Sequence, residues 1–227
     1  MTDVSATLPF DFWRAAFLVE VSSLKATSLS ELLTCVTLAD TGALFYHLHQ
    51  HFFREPDILP EYPNDFAIWA AGVLGDHVVA ERLANLNLFR SADLEVVRRE
   101  IAVILAEHLR AGAGGHCPSP DAAFIFCRAR LVFFHSGRQV RTPGEFLTAL
   151  RAADSDAIGA HLFAPRAATG TDGNDFAACF RRWGYTAIAD QLDAFDPYLN
   201  SLEDNRRYLI ELIEAGLGSA TSEDANA

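Results

Sequence analysis

The stretch Phe45-Tyr46-His47-Leu48-His49-Gln50-His51 gathers three of the eight histidines of this 227-residue chain. On a helix, His47 and His51 stand four apart and share a face, while His49 lies on another side. Two imidazoles at that spacing can hold zinc or iron once one or two further ligands arrive. Asp65 is the candidate third ligand, with His161 and Asp175 as others, and His49 would act behind the metal or as general base. No glutamate follows in the H-E-x-x-H manner. A second chemistry is structural. A neutral histidine on a mostly apolar helix can donate to a carboxylate or a loop carbonyl and so brace a loop between helices. Asn64 and Asp65 are the residue types that start helices. No zinc or iron is then needed, and the bracing set becomes Tyr46, His47, His49, Asn64, Asp65 and Trp69, with His161, Asn174 and Asp175.

That longer set arises because the chain repeats itself. Phe10-Asp11-Phe12-Trp13-Arg14-Ala15 aligns with Phe124-Ile125-Phe126-Cys127-Arg128-Ala129. At the same offset Ser22 meets Ser136, and Glu31, Leu33 and Thr34 meet Glu145, Leu147 and Thr148. Asp40, Ala43, His47 and Leu48 meet Asp154, Ala157, His161 and Leu162. After a shortened loop, Asn64-Asp65-Phe66-Ala67 meets Asn174-Asp175-Phe176-Ala177. An offset that holds within elements and changes between them is the mark of a duplicated fold, because loops tolerate length change and packed elements do not. The halves are read as copy 1 over 9–110 and copy 2 over 122–217. The glycine- and proline-rich stretch 111–121 links them, and the small, acidic residues 218–227 form a disordered tail. Copy 2 lacks the aromatic pair, carries Pro165 where copy 1 has His51, and has Cys179 in place of Trp69.

The elements that must position these residues read as helices. Ser28-Leu29-Ser30-Glu31 and Thr142-Pro143-Gly144-Glu145 each fit a capping box. Asp40 and Asp154 read as caps of the following helices, the first with a stripe of Leu44, Phe45, Leu48 and Phe52. Prolines 56, 60 and 63 break the chain after Arg54. Asn64-Asp65 starts the next helix, with Phe66, Trp69, Ala70 and Val73 on one face. Val78–Leu86 and Leu94–Leu109 follow. Phe-x-Phe has no decisive period, so it starts either a helix or an extended segment. The expected fold is therefore all-α, with at most one short extended segment per repeat. Two tandem modules of four or five helices form a helical bundle packed with pseudo-two-fold symmetry.

Composition narrows the function. Hydrophobic residues make up 50% and charged residues 21%, enough to bury a core. A net charge of −12 repels phosphate backbones and anionic headgroups, so neither nucleic acid nor membrane is an expected partner. No apolar run is long enough to span a bilayer, and Met1–Leu8 has no basic n-region. Cys35, Cys117, Cys127 and Cys179 form no C-x-x-C pair and read as reduced thiols of a soluble cytoplasmic protein. Trp13, Trp69 and Trp183 read as core anchors. Arg98-Arg99 and Arg206-Arg207 pair with Glu95 and Glu203 on helix flanks. No nucleophile elbow, phosphate loop, dinucleotide fingerprint or paired catalytic carboxylates occur.

Glu-Leu-Leu, Tyr46-His47-x-His49 and Pro63-Asn64-Asp65-Phe66-Ala67-x-Trp69, read with the opening Phe-x-Phe, resemble a bacterial family catalogued only as a domain of unknown function (series number 5752). The likeness spans nearly the whole chain and is clearest in copy 1. It implies no activity. Three functions compete. The preferred one is a non-enzymatic regulatory or binding module whose partner is a protein or a small metabolite, with homo-oligomerisation left open. The others are a metal-dependent enzyme or sensor using His47, His51 and Asp65, and a ligand-binding protein in carbohydrate metabolism.

Overall fold

Phe10-Asp11-Phe12 and Phe124-Ile125-Phe126 open strands, not helices. In the computed structural model, which describes residues 8–55, 57–58, 60–89, 93–112, 114–169 and 174–224, strand β1 spans Phe10–Ala26 and β2 spans Phe124–Val140. The two pair antiparallel. Ten α-helices among the described residues complete a mixed α/β fold, so the all-α, helical-bundle expectation is wrong. The extended segment foreseen at Phe-x-Phe exists, but it is long. Alternation explains its start: Phe10 and Phe12 are buried and Asp11 between them is not. Further along, exposed Leu18, Val19 and Val21 follow one another with no buried face to impose a period. That is why the pattern does not announce a strand.

The chain divides into two compact units, and each cuts across both strands. One comprises Phe17–Val132. It holds the later part of β1, the first part of β2, and α1 (Leu29–Leu38), α2 (Thr41–Arg54), α3 (Asp65–Gly72), α4 (His77–Ala84) and α5 (Leu94–Arg110). The other comprises Met1–Ala16 and Phe133–Ala227, with α6 (Pro143–Arg151), α7 (Ser155–Thr169), α8 (Asp175–Arg182), α9 (Thr186–Ala194) and α10 (Leu202–Asp224). The Phe-x-Phe of each sequence copy thus lies in the unit that holds the other copy's helices. In the α1–α5 unit, Phe124 stacks on Phe66 at 5.3 Å and meets Trp69 edge-on, while Phe126 is fully buried. In the α6–α10 unit, Phe10 and Phe12 pack against Phe146 and Phe176. Burying each such ring stabilises its unit by about 1.5–3 kcal/mol.

Helix starts follow the capping residues. Ser28 Oγ accepts from the Glu31 amide at 3.2 Å, and Thr142 Oγ1 accepts from the Glu145 amide at the same distance. The glutamates reach back one residue beyond the cap, to the amides of Thr27 and Arg141. The Thr27 amide and hydroxyl hold the Glu31 carboxyl below the usual range. Asp40 Oδ1 caps α2 through the Ala43 amide at 2.8 Å. Arg98 and Arg206 do pair with Glu95 and Glu203, at 2.9 and 3.4 Å.

The 111–121 stretch is tied down within the α1–α5 unit. The Cys117 amide donates to the Thr27 carbonyl at 2.7 Å, and Ser28 and His116 form a β-bridge. The C-terminal helix α10 runs through 218–224, where composition alone suggested disorder; residues 225–227 lie outside the described ones. Gly216 allows α10 to approach α9, since a methyl group there would come within 2.5 Å of Ile188 Cγ1. No described helix is long and apolar enough to cross a membrane.

Candidate functional site

Helix α2 presents His47 on its buried face because Leu44, Leu48 and Phe52 hold that face in the core. Asn64 ends the preceding loop and caps α3, with its Oδ1 accepting from the Ala67 amide at 3.0 Å. Its amide nitrogen donates to the Leu83 carbonyl at 2.9 Å, which ties the start of α3 to the end of α4. Asp65, the first residue of α3, then faces α2. His47 Nδ1 lies 2.7 Å from Asp65 Oδ2, and Gln50 Nε2 donates to the same oxygen.

The other ring nitrogen settles the tautomer. The Cys127 backbone N–H donates to His47 Nε2 at 2.9 Å, so Nε2 carries no proton. A neutral ring then has its proton on Nδ1 and donates it to Asp65. Phe124 and Phe126 flank the imidazole, with centroids at 4.7 and 5.5 Å. His47 is 4% exposed.

The second unit builds the same arrangement from the matching residues. His161 Nδ1 faces Asp175 Oδ2 at 3.0 Å, and the Trp13 N–H donates to His161 Nε2 at 2.9 Å. Asn174 caps α8 through the Ala177 amide and donates to the Leu192 carbonyl, both at 2.8 Å. Phe10, Phe12 and Phe176 surround the ring. The units differ at the rim: Asp65 is 17% exposed and Asp175 43%. Where the first unit has Tyr46, Gln50 and Cys127, the second has Ala160, Ala164 and Trp13 at the matching positions.

The remaining sequence-derived residues do not converge on an open centre. Tyr46 sets its ring edge-on to His47 at 5.1 Å, and burial pushes its hydroxyl pKa up. Trp69 is buried and its Nε1–H donates to the Ala122 carbonyl at 2.9 Å. Cys179, in Trp69's place, is buried and its thiol is pushed up to about 12. His49 donates from Nδ1 to the Phe45 carbonyl at 2.9 Å and stacks on that residue's ring. Burial lowers its pKa to about 3, so it is neutral. His51 is lowered to about 4 by burial, against the pull of the Asp65 charge, and its Nε2 has no hydrogen-bond partner among the described residues.

The trio His47, His51 and Asp65 does not fit a metal as arranged. Both His47 nitrogens are taken, and no group of three His, Cys, Asp or Glu with ligand geometry exists among the described residues. The side chain of Pro165, which stands where copy 1 has His51, lies outside the described ones.

Sequence reasoning missed the Cys127 and Trp13 amides. Their only signal was position, one residue after Phe-x-Phe in both copies. It also missed His108, whose Nε2 meets Asp76 Oδ2 at 2.6 Å while Asp76 Oδ1 caps α4. The run Leu94, Val97, Ile101, Leu105, His108 places that histidine on the buried stripe of α5, which was a readable sign.

A family model described as a family of unknown function (DUF5752) matches residues 7–214. Among solved structures, OrfY from Thermoproteus tenax is similar at 26% identity and a TM-score of 0.79, covering 93% of this chain and 96% of that one. No curated protein matches.

Proposed function

Since the chain belongs to the family of unknown function DUF5752, which brings no activity with it, we propose from the site's geometry that it is a non-enzymatic regulatory or binding module. The observation that carries this reading is the double commitment of both histidines. Each ring donates to an aspartate and accepts from a strand amide. A general base needs a free lone pair within reach of a substrate proton, and neither ring has one. A metal on His47, His51 and Asp65 would first have to take these bonds apart. The same bonds join a strand, a helix and the start of a second helix, which suits a brace. Leu18, Val21 and Val132, exposed in the α1–α5 unit, supply apolar surface that a binding protein can use.

The test is the nitrogen NMR spectrum of the imidazoles at pH 7. The brace requires His47 and His161 to show a single Nδ1–H tautomer with slowly exchanging protons. A mixture of tautomers with rapid solvent exchange at either ring would defeat the reading.

A further inference from the structure

Two matching clefts lie beside the strands, one within each unit. In the α1–α5 unit a cleft of about 310 Å³ is lined by Glu20, Val21, Ser22, Leu38, Asp40 and Arg128 among others. In the α6–α10 unit a cleft of about 120 Å³ is lined by Arg14, Ser136, Ala153, Asp154 and Ala157 among others. The linings are equivalent by the internal repeat: Arg14 matches Arg128, Ser136 matches Ser22, Asp154 matches Asp40, and Ala153 and Ala157 match Ala39 and Ala43. Residues that two diverged copies share are thus concentrated at a surface feature as well as in the core. Only the larger cleft reaches the volume usual for small-molecule sites.

Its polar groups specify a ligand class. The Arg128 guanidinium lies between Glu20 Oε2 at 2.5 Å and Asp40 Oδ2 at 3.3 Å. All three side chains are more than a third exposed, so these ion pairs are held weakly and can be exchanged for a ligand's charges. One guanidinium beside two carboxylates repels a simple anion, yet it still offers a bidentate fork to a carboxylate. The two carboxylates offer partners to an ammonium a few ångströms away. Ser22 Oγ accepts from the Leu24 amide at 3.1 Å and keeps its own proton to donate. Val21 and Leu38 provide an apolar wall.

We propose that the cleft bounded by Arg128, Glu20 and Asp40 binds an α-amino acid as its zwitterion, with the carboxylate on Arg128, the ammonium on Glu20 and Asp40, and an aliphatic side chain against Val21 and Leu38. The smaller cleft in the α6–α10 unit keeps the ion pair without the space. This deepens the binding-module reading and rests on it.

Titration calorimetry on the full chain tests it, with L-leucine as probe. L-leucine binds at one site per chain. L-leucinamide, lacking the carboxylate, and N-acetyl-L-leucine, lacking the ammonium, each bind at least tenfold more weakly. Arg128→Gln abolishes binding and Arg14→Gln leaves it unchanged. Leu38 is 67% exposed, so Leu38→Glu folds normally and provides a second variant that weakens binding at least tenfold. Absence of L-leucine binding up to about 10 mM overturns the proposal. So does equal binding of leucinamide, equal loss in Arg14→Gln, or full binding in Leu38→Glu. The imidazole spectrum reports on the brace separately, so failure of the amino-acid site is told apart from failure of the reading it rests on.

Discussion

The amide of Cys127 donates to Nε2 of His47 at 2.9 Å, and this bond sets the whole state of the ring. A proton on Nε2 would meet the amide proton head on, so Nε2 is the acceptor and the Nδ1–H donates a hydrogen bond to Asp65. Removing the ring leaves the part-buried Cys127 amide without its acceptor and Asp65 with one donor fewer, Gln50 remaining, besides a cavity. His47→Ala therefore costs about 2–4 kcal/mol. His161→Ala costs less, because the more exposed Asp175 regains water more easily. Urea unfolding of the two variants checks both the size and the order. A loss under about 0.5 kcal/mol for His47→Ala would mean that the bonds brace nothing.

Asn64 performs two tasks with two different atoms, and substitutions can separate them. Asn64→Ala removes the cap and the bond to the Leu83 carbonyl, for a loss of about 1–3 kcal/mol. Asn64→Asp keeps the capping oxygen but replaces the donor with a buried charge facing a carbonyl, so it is no better than alanine. The same pair at Asn174 gives the same pattern through Leu192. If aspartate restores wild-type stability in thermal unfolding, only the cap matters.

Much of this site was legible because its parts are local. Ser28, Thr142, Asp40 and Asn64 announce helix starts through side-chain oxygens that reach only two or three residues along the chain. The pairing of His47 with Asp65 follows from a histidine on an apolar stripe and an aspartate at a nearby helix start. The strands were not legible, since a run such as Leu18-Val19-Glu20-Val21 that lacks one buried face has no period to read. Nor was the exchange of Phe-x-Phe segments. The repeat shows that Phe12 and Phe126 are equivalent, but two similar copies offer each strand two similar helical sets. The exchange goes with the strand's length: 17 residues span roughly 55 Å, and the strand runs from one unit into the other.

Acid should weaken the fold through helix α2. Burial lowers His49 to about 3 and His51 to about 4, whereas both take up a proton near 6.5 when unfolded. Above pH 6.5 neither state is protonated and the two residues contribute no pH dependence. Below it the unfolded chain binds protons that the folded chain refuses, so stability falls as pH drops from 6.5 towards 3–4. The slope reaches about 1.4 kcal/mol per pH unit for each residue. His51→Leu removes one of the two and also a buried nitrogen that has no partner among the described residues. Its urea midpoint should fall less steeply between pH 7 and pH 5 than the wild type's. An unchanged slope would show that His51 titrates normally and is not buried.

The segment exchange makes a prediction that sequence order alone would reverse. Phe12 is 1% exposed and packs against Phe146, His161 and Phe176, all in the α6–α10 unit. Phe126 packs against His47 and Phe66, in the α1–α5 unit. Truncating either ring costs about 3–5 kcal/mol, and the loss falls first on the unit that contained it. Hydrogen exchange should therefore quicken in α6–α8 for Phe12→Ala, although residue 12 precedes α1 in the chain. For Phe126→Ala it should quicken in α2 and α3. Faster exchange in α1–α3 for Phe12→Ala would mean that each strand segment stays with its own copy. The hydrogen bond from the Trp13 N–H to His161 Nε2 would then have to be abandoned along with it.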